Sequence, residues 1–296
     1  MAGAAGICGT PVTNAARAPN APVPMLITAR FVVLNLPKSG SSFVRAVLKA
    51  IHARRRSPWP WRRGGMRELI LPNTRLPGRP KDQHGVVAQI PRRYRDRPIV
   101  SVNRDPHTKM VSEYRFRWWA THPPLDPARL RQLFPTFPDL SFAEFLQLSD
   151  HIAAAKVGAE IAGRLGNLTI EFVQFFFPDP AAALARMSDD YLRSGEWRRD
   201  MAAVQFLRQE DLNRELAAFL RRNGYAEDEV ALCLAHRPVN VTQGDADPSP
   251  WTPDTLRRFQ QRERHLFAML DALGFRYESP LPAPLTGQGD IPAHGS

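Results

Sequence analysis

Residues 31–51 read FVVLNLPKSGSSFVRAVLKAI, and this stretch determines the predicted fold. It opens with an apolar, β-branched run from Phe31 to Leu34, which is typical of a buried strand. A turn of small residues follows, and then apolar residues recur on one face of a predicted helix: Phe43, Val44, Val47, Leu48 and Ile51. Strand, turn and helix N-terminus together direct backbone N–H groups and the positive end of the helix dipole at one point. Lys38 adds a full positive charge, so the stretch predicts a cradle for an anion.

The cradle differs from the loop that binds nucleoside triphosphates. That motif reads G-x-x-x-x-G-K-[ST], whereas here the lysine, Lys38, precedes the glycine of the turn, Gly40. The turn is too short to wrap a β-phosphate, but it fits a single terminal phosphate. An ordinary strand–turn–helix corner with a chance lysine is the alternative interpretation of the same residues.

Composition indicates a globular protein with an excess of positive charge. Of the 296 residues, 43% are hydrophobic and 23% are charged, which suits one large α/β domain. The formal net charge is +11, and residues 1–67 contain eleven Lys and Arg but no acidic residue. The excess surrounds the predicted cradle, as expected for a strongly anionic ligand. A basic surface that keeps the protein soluble is an alternative explanation of the excess positive charge.

The cysteines bear on the cellular compartment of the protein, and the terminal segments bear on the extent of the domain. Cys8 and Cys233 form neither a disulfide framework nor a cysteine-based metal site, which fits a reducing compartment and a cytoplasmic protein. No apolar run is long enough for a membrane span. We expect a disordered tail at residues 1–24, one domain at 25–277 and a disordered tail at 278–296. The acid-free N-terminal segment leaves an organellar transit peptide open.

A second strand–helix unit follows further along the chain. Residues 98–102 predict a strand, and Asp105 and Pro106 suit the N-cap and the first position of a helix. Arg104 then lies at the C-terminal end of a strand, where open α/β sheets bind their ligands. Ser112 follows two turns into the helix.

The other segments predict a long loop and a helix-rich second half. Residues 53–81 predict a loop with one short strand at 68–71. In it, Trp59 and Trp61 with the neighbouring arginines form either a cationic stacking surface for an acceptor or anchors that hold the loop on the core. After β-strand 98–102 and its helix, we predict a surface excursion at 122–138 and a mostly helical region at 141–192. The helical region opens with a capping box at Ser141 and Glu144 and supplies core aromatics at 172–177. A strand at 204–207, a helix that ends at Arg222 and a final helix from Thr252 to Gly274 complete the prediction.

Two of these segments resemble motifs of the sulfotransferases that use 3′-phosphoadenosine 5′-phosphosulfate (PAPS). PKSGSSF at 37–43 resembles that family's 5′-phosphosulfate loop. VSVNRDPHTKMVSEYRF at 100–116 resembles its 3′-phosphate motif, in which a serine follows an arginine by eight residues. More weakly, QFLRQEDL at 205–212 resembles the strand and acidic pair of the family's second half. The loop of Asn240, with the helix of Trp251–Leu273 after it, resembles the C-terminal ending of bacterial and carbohydrate-directed members. The resemblance implies a P-loop-NTPase-like α/β sulfotransferase fold, with a central, mostly parallel sheet flanked by helices.

The resemblance also implies a role for each matching residue. The 5′-phosphosulfate would be held by Lys38, Ser39, Gly40, Ser41 and Ser42. Lys38 would neutralise charge on the bridging oxygen, and Phe43 would stack on the adenine. The 3′-phosphate would be bound by Arg104 and Ser112. His84 matches the catalytic histidine and would take the proton of the acceptor hydroxyl.

The chain departs from the family pattern at three places. The Lys-Thr-His of soluble members is Asp82-Gln83-His84 here, and a structural hydrogen-bonding role for His84 stays open. Gln209 occupies the position of a tyrosine that contacts the adenine. The Arg-Lys-Gly ending of soluble members is missing.

We therefore expect a sulfotransferase that moves the sulfuryl group of PAPS to an acceptor hydroxyl of a carbohydrate or glycan. No metal ion, nucleic-acid partner or membrane span is expected. An ATP-dependent phosphotransferase is one alternative, against which the lack of a second glycine before Lys38 counts. A non-enzymatic protein that binds polyanions through the arginines of residues 54–67 is the other.

Overall fold

The structure is a computed structural model of the chain, and it describes residues 24–55, 65–75, 84–236 and 249–281. Every predicted cofactor-binding residue and His84 lie within these ranges. Several predictions fall outside the described residues: most of both tails, the loop that carries Trp59 and Trp61, residues 81–83, and Asn240.

Within the described ranges, five short strands form one sheet in the order β3-β1-β2-β4-β5. They are β1 (Met25–Ile27), β2 (Val32–Leu34), β3 (Arg67–Leu69), β4 (Ile99–Asn103) and β5 (Val204–Arg208). β4 pairs in parallel with both β2 and β5, whereas β1 is antiparallel to both β2 and β3. The α/β class is thus confirmed, but the sheet is mixed and not mostly parallel by its pairings. Its parallel part is β2, β4 and β5, which correspond to the three predicted strands that precede the cradle, Arg104 and Gln209.

The antiparallel part of the sheet follows from a tight connection that sequence patterns did not predict. A turn from Thr28 to Phe31 joins β1 to β2, and Thr28 Oγ1 accepts a hydrogen bond from Phe31 N at 2.9 Å. So short a connection forces antiparallel pairing, because a parallel pair needs a crossover of roughly a dozen residues.

Helices pack on both faces of the sheet. Within the described residues they are α1 (Ser41–Arg54), α2 (Pro106–Phe116), α3 (Trp118–Thr121), α4 (Pro127–Leu133), α5 (Phe142–Val157), α6 (Ala159–Arg164), α7 (Asn167–Phe176), α8 (Pro180–Arg186), α9 (Asp189–Arg193), α10 (Trp197–Asp200), α11 (Leu212–Arg222), α12 (Glu227–Ala235), α13 (Pro253–Arg262) and α14 (Arg264–Ala272). Two short 3₁₀ turns, Val87–Gln89 and Arg92–Tyr94, precede β4.

The buried apolar residues in the described part of the chain form two clusters, one on each face of the sheet. Successive strand residues point to opposite faces, so Val32 and Leu34 belong to one cluster and Val33 to the other. The first cluster packs against α5, α7 and α14, and it includes the predicted aromatic residues of 172–177. The second packs against α1, α11 and α12. The prediction of a sheet flanked by helices, with a helix-rich second half, is confirmed.

The predicted surface excursion at residues 122–138 is partly wrong. The segment contains α4, and both Leu130 and Phe134 are fully enclosed in the core. Asp126 accepts hydrogen bonds from the backbone N–H groups of Ala128 and Arg129, so it caps the helix. The prolines that suggested a loop include Pro127, which stands at the first helical position, where proline is favoured.

The predicted final helix is divided in two at Glu263. The carboxylate of Glu263 is buried and accepts hydrogen bonds from Leu168 N at 2.9 Å, Thr169 N at 2.8 Å and Thr169 Oγ1 at 2.7 Å. These donors lie in the first turn of α7, so Glu263 caps that helix from a distant segment. The cap and the break in the helix thus occur at the same residue.

Candidate active site

The predicted site residues meet at the carboxyl end of the parallel strands. The cradle follows β2, Arg104 follows β4, and Gln209 follows β5. Arg104 Nη1 donates to the carbonyl oxygen of Lys38 at 3.0 Å, and Gln209 N donates to the carbonyl of Asn103 at 2.9 Å. Three segments far apart in sequence are thereby joined at one edge, the position where open α/β sheets bind ligands.

The backbone of the cradle adopts a conformation that most residues avoid. Lys38 has φ +58° and Gly40 has φ +94°. A Cβ on Gly40 would approach Leu212 Cδ2 to 3.0 Å, so both its conformation and its surroundings require glycine. Gly40 is the N-cap of α1; among the described residues no side chain caps the helix, and no acidic residue stands in its first turn. Phe43 N already donates to the Gly40 carbonyl oxygen at 2.9 Å, so the N–H groups of Ser41 and Ser42 are the ones offered to an anion from outside the helix.

The serines of the cradle have different surroundings. Ser39 is fully buried, and its Oγ donates to the carbonyl oxygen of Leu36 at 2.7 Å, which stabilises the turn. Ser41 is buried in the first turn of α1, while Ser42 is partly exposed there. Since the hydroxyl proton of Ser39 is already engaged, this residue would contact a ligand through its backbone N–H.

Phe43 lies in the core. Its side chain is only 4% exposed and belongs to the cluster beneath α1 and α11. The ring meets that of His236 edge-on, with 5.5 Å between ring centroids. This position matches the helical periodicity of the stretch and does not support the predicted stacking on an adenine.

The Lys38 ammonium lies against α2. Its Nζ is 3.9 Å from the centroid of the Phe116 ring, at the C-terminal end of that helix. Loss of hydration lowers the pKa of Lys38 to about 8; Glu113 opposes the shift, and the positive charges of Arg104 and Lys109 add to it. Lys38 is thus a cation that has lost much of its hydration, and a bound anion would stabilise its charge.

Arg104 and Ser112 lie on the same side of α2. Arg104 Nε donates to Thr108 Oγ1 at 3.1 Å, and Ser112 is one helical turn beyond Thr108. The predicted helix start is confirmed, because Asp105 accepts from His107 N at 2.9 Å and Pro106 is the first helical residue. The Arg–Ser spacing of the motif therefore places both residues along one line of the helix surface.

His84 is held at the base of the cradle. Its Nδ1 is 2.8 Å from the carbonyl oxygen of Asn35, the residue that follows β2. A carbonyl only accepts, so Nδ1 carries the proton, and in the neutral ring Nε2 is the basic nitrogen. Asn35 is itself buried and donates through Nδ2 to the carbonyl of Pro24. This arrangement is the one that a general base needs: a fixed tautomer on a rigid support.

A buried charge network beside the site was not predicted. Lys109 Nζ lies 2.6 Å from both Glu113 Oε1 and Glu171 Oε2, and Arg75 Nη1 lies 3.5 Å from Glu171 Oε1. Burial disfavours the charge of Lys109, but the two carboxylates outweigh it and raise its pKa. Burial likewise opposes the charge of Glu171, yet Lys109, Lys156 and Arg75 hold its pKa well below the usual value. The network keeps both signs of charge inside the protein.

A small cavity of about 20 Å³ separates this network from the end of β4. Its polar lining includes Asn103, Arg104, Lys109 and Glu171. The volume is that of about one water molecule, so a nucleotide would have to bind on the open edge of the sheet outside it.

Comparison with known proteins leaves the chain without an identified relative: no protein-family model, curated protein or solved structure matches it. Among the described residues, no group of three His, Cys, Asp or Glu side chains is arranged to hold a metal ion. No helix in the described part of the chain is long and apolar enough to cross a membrane.

Proposed function

We propose that the protein is a sulfotransferase that transfers the sulfuryl group of PAPS to an acceptor hydroxyl. The proposal rests on the contact between the two segments that resemble sulfotransferase motifs, 37–43 and 100–116. Arg104 of the second donates to the Lys38 carbonyl of the first at 3.0 Å, although 66 residues separate them. Residues proposed for the 5′-phosphosulfate and for the 3′-phosphate thus form one site with two anion-binding parts.

The first part is the cradle. The uncapped N-terminus of α1, the left-handed turn at Lys38 and Gly40, and the Lys38 side chain all offer positive charge to one anion. The second part is Arg104, whose guanidinium binds phosphate oxygens through charge-assisted hydrogen bonds. A ligand with two separate anionic groups uses both parts, whereas inorganic phosphate uses one.

The transfer breaks the bond between sulfur and the bridging oxygen of the 5′-phosphate and forms a bond from sulfur to the acceptor oxygen. The Nδ1–H of His84 donates to the carbonyl oxygen of Asn35, which leaves Nε2 as the basic nitrogen of the ring. Nε2 then accepts the proton of the acceptor hydroxyl. Lys38 and the N–H groups of α1 stabilise the negative charge that develops on the leaving phosphate. Donors of this kind contribute several kcal/mol when they are aimed at the developing charge.

Calorimetric titration with 3′-phosphoadenosine 5′-phosphate, ATP and a sulfated polysaccharide tests the proposal. We expect micromolar binding of the bisphosphate, and a loss of about tenfold or more in Lys38→Ala. Lys49→Ala is the matched control, because Lys49 lies further along α1 and pairs with Glu68 at 3.0 Å. Binding of ATP without the bisphosphate would favour a phosphotransferase. Binding of the polysaccharide alone, equal in Lys38→Ala, would favour a polyanion-binding protein.

The acceptor requires a separate experiment. We propose a carbohydrate or glycan, on the strength of the resemblance of the C-terminal region to carbohydrate-directed members of the family. Transfer of radiolabelled sulfate from PAPS should be screened over glycans, lipids and phenols, with His84→Ala as the inactive control. Labelling of phenols but not of glycans would refute this choice of acceptor without affecting the choice of donor.

A further inference from the structure

Phe116 is an aromatic residue on the surface of the site with no role in the proposed chemistry. It is the last residue of α2, and 43% of its side chain is exposed. The Lys38 ammonium lies over its ring, with Nζ 3.9 Å from the ring centroid.

The two ends of Lys38 contact the two ends of α2. Its carbonyl accepts from Arg104, which precedes the helix, and its ammonium contacts Phe116, which ends it. Between them, Thr108 and Ser112 share the same side of the helix with Phe116, at intervals of four residues. Lys38 therefore extends along the side of α2 that carries the proposed 3′-phosphate residues.

The ring restrains the ammonium without neutralising it. Lys38 forms no ion pair with the described residues, and the nearby carboxylate of Glu113 is engaged with Lys109 at 2.6 Å. A carboxylate partner would cancel the charge of Lys38, whereas the face of an aromatic ring attracts the cation and leaves its full charge for a ligand. A lysine side chain is otherwise free to rotate about four bonds, and restraining it in advance reduces the entropy lost on binding.

We propose that Phe116 is a positioning residue, which holds the Lys38 ammonium in place for the anion that binds in the cradle. This role rests on the proposed function only in the identity of the nucleotide, because the contact itself concerns any anion that Lys38 binds. Exposed cation–π contacts correspond to an effect of about two- to fivefold on an equilibrium.

The contact can be measured without a ligand. The chain contains five lysines, so a protein labelled with ¹³C-lysine gives five Cε signals, and Lys38→Arg identifies that of Lys38. The Cε protons of Lys38 should show an upfield shift from the ring of Phe116. Phe116→Leu should abolish this shift, and Phe116→Tyr should retain it. A Lys38 signal that does not respond to Phe116→Leu would overturn the proposal.

The consequence for binding is tested by titration with 3′-phosphoadenosine 5′-phosphate and, separately, with inorganic sulfate. We expect Phe116→Leu to weaken anion binding about two- to fivefold and Phe116→Tyr to bind as the wild type does. In a Lys38→Ala background Phe116→Leu should have no further effect, because the ring acts through Lys38. Leu133→Ala is the control, since Leu133 is an apolar residue exposed to a similar extent on α4.

Each other outcome contradicts a specific step. Equal affinities of Phe116→Leu and wild type would show that the ring does not position Lys38. Tighter binding in Phe116→Leu would show that the ring withholds the ammonium from the anion. If Phe116→Leu still weakens anion binding in the Lys38→Ala background, the ring contacts the ligand directly and does not act through Lys38. If sulfate binds and the nucleotide does not, the proposed function fails and the Phe116 role stands on the sulfate data.

Discussion

The lowered pKa of Lys38 should make anion binding at the proposed site depend on pH between 7 and 9, where an ordinary lysine stays charged. An ordinary lysine stays charged well above pH 9, but loss of hydration and the neighbouring cations Arg104 and Lys109 lower the pKa of Lys38 to about 8. The free protein therefore loses this charge as the pH rises through 8. A bound anion favours the charged form, so the loss of charge appears as a loss of affinity.

The magnitude follows from the charged fraction of Lys38 in the free protein. With a pKa of about 8, roughly nine-tenths of Lys38 is charged at pH 7 and roughly one-tenth at pH 9. The affinity for 3′-phosphoadenosine 5′-phosphate should then fall about tenfold between these values. A lysine with the usual pKa of 10.5 would give almost no change.

The measurement is a series of calorimetric titrations from pH 7 to pH 9, with Lys38→Arg in parallel. Arginine stays charged throughout this range. Ionisation of the ligand and of other groups, including Lys156, whose pKa burial lowers to about 8, acts on both proteins and cancels in the ratio of affinities. The ratio of wild type to Lys38→Arg should fall about tenfold. A ratio that stays constant with pH would refute the link between the partly buried ammonium of Lys38 and anion binding.

Three further predictions concern the other parts of the site. Arg104→Ala should weaken binding of the bisphosphate about 10- to 100-fold, because a charge-assisted contact is lost; calorimetry against inorganic sulfate, which needs only the cradle, is the comparison. His84→Ala should lower the turnover of PAPS about 10²- to 10⁴-fold with nucleotide affinity unchanged, and near-normal transfer would remove His84 from the mechanism. Glu171→Gln should destabilise the fold by about 3 kcal/mol in urea unfolding, because Lys109 loses one of its two carboxylates. The pKa of Glu171 is held low, so the difference in stability between wild type and Glu171→Gln should shrink as the pH falls through that pKa. Glu160→Gln, at an exposed position, is the control and should have little effect on stability.

The elements around the cradle could be predicted because their signals are local. The apolar run of β2 and the apolar face of α1 are contiguous in the sequence, and Asp105 and Pro106 mark the start of α2 within two residues. Parallel strands place their carboxyl ends at one edge, so the meeting of Lys38 and Arg104 followed from the strand assignments. The two halves of the proposed site are thus recorded in short stretches of sequence.

Residues whose partners are distant in the sequence could not be predicted from a local pattern. Lys109 reads as an ordinary helical lysine, because its partner Glu171 is 62 residues away. The one available indication was Glu171 itself, the one charged residue of α7, which stands between the apolar residues Ile170 and Phe172. A charge at such a position requires a buried partner, although the sequence does not show which one.

Helical periodicity was misleading where a side chain acts outside its own helix. The apolar spacing continues across Glu263, so the pattern predicted one helix; its carboxylate instead caps α7. For Phe43, periodicity placed the ring in the core and the resemblance placed it on an adenine, and the structure agrees with the periodicity. The exposed aromatic ring beside Lys38 is Phe116, from a different helix, which no local pattern associates with the cradle.

The buried network and the proposed site are connected through the orientation of α2. Lys109 of α2 pairs with Glu171 of α7 at 2.6 Å, and this contact ties one position on the surface of α2 to the neighbouring helix; the second carboxylate, Glu113, belongs to α2 itself. Lys109 fixes the side of α2 that faces inward, and the side with Ser112 and Phe116 then faces Lys38. On this account, Glu171→Gln weakens anion binding as well as stability, because α2 loses its orientation. An affinity that is unchanged while the protein remains folded would separate the network from the site.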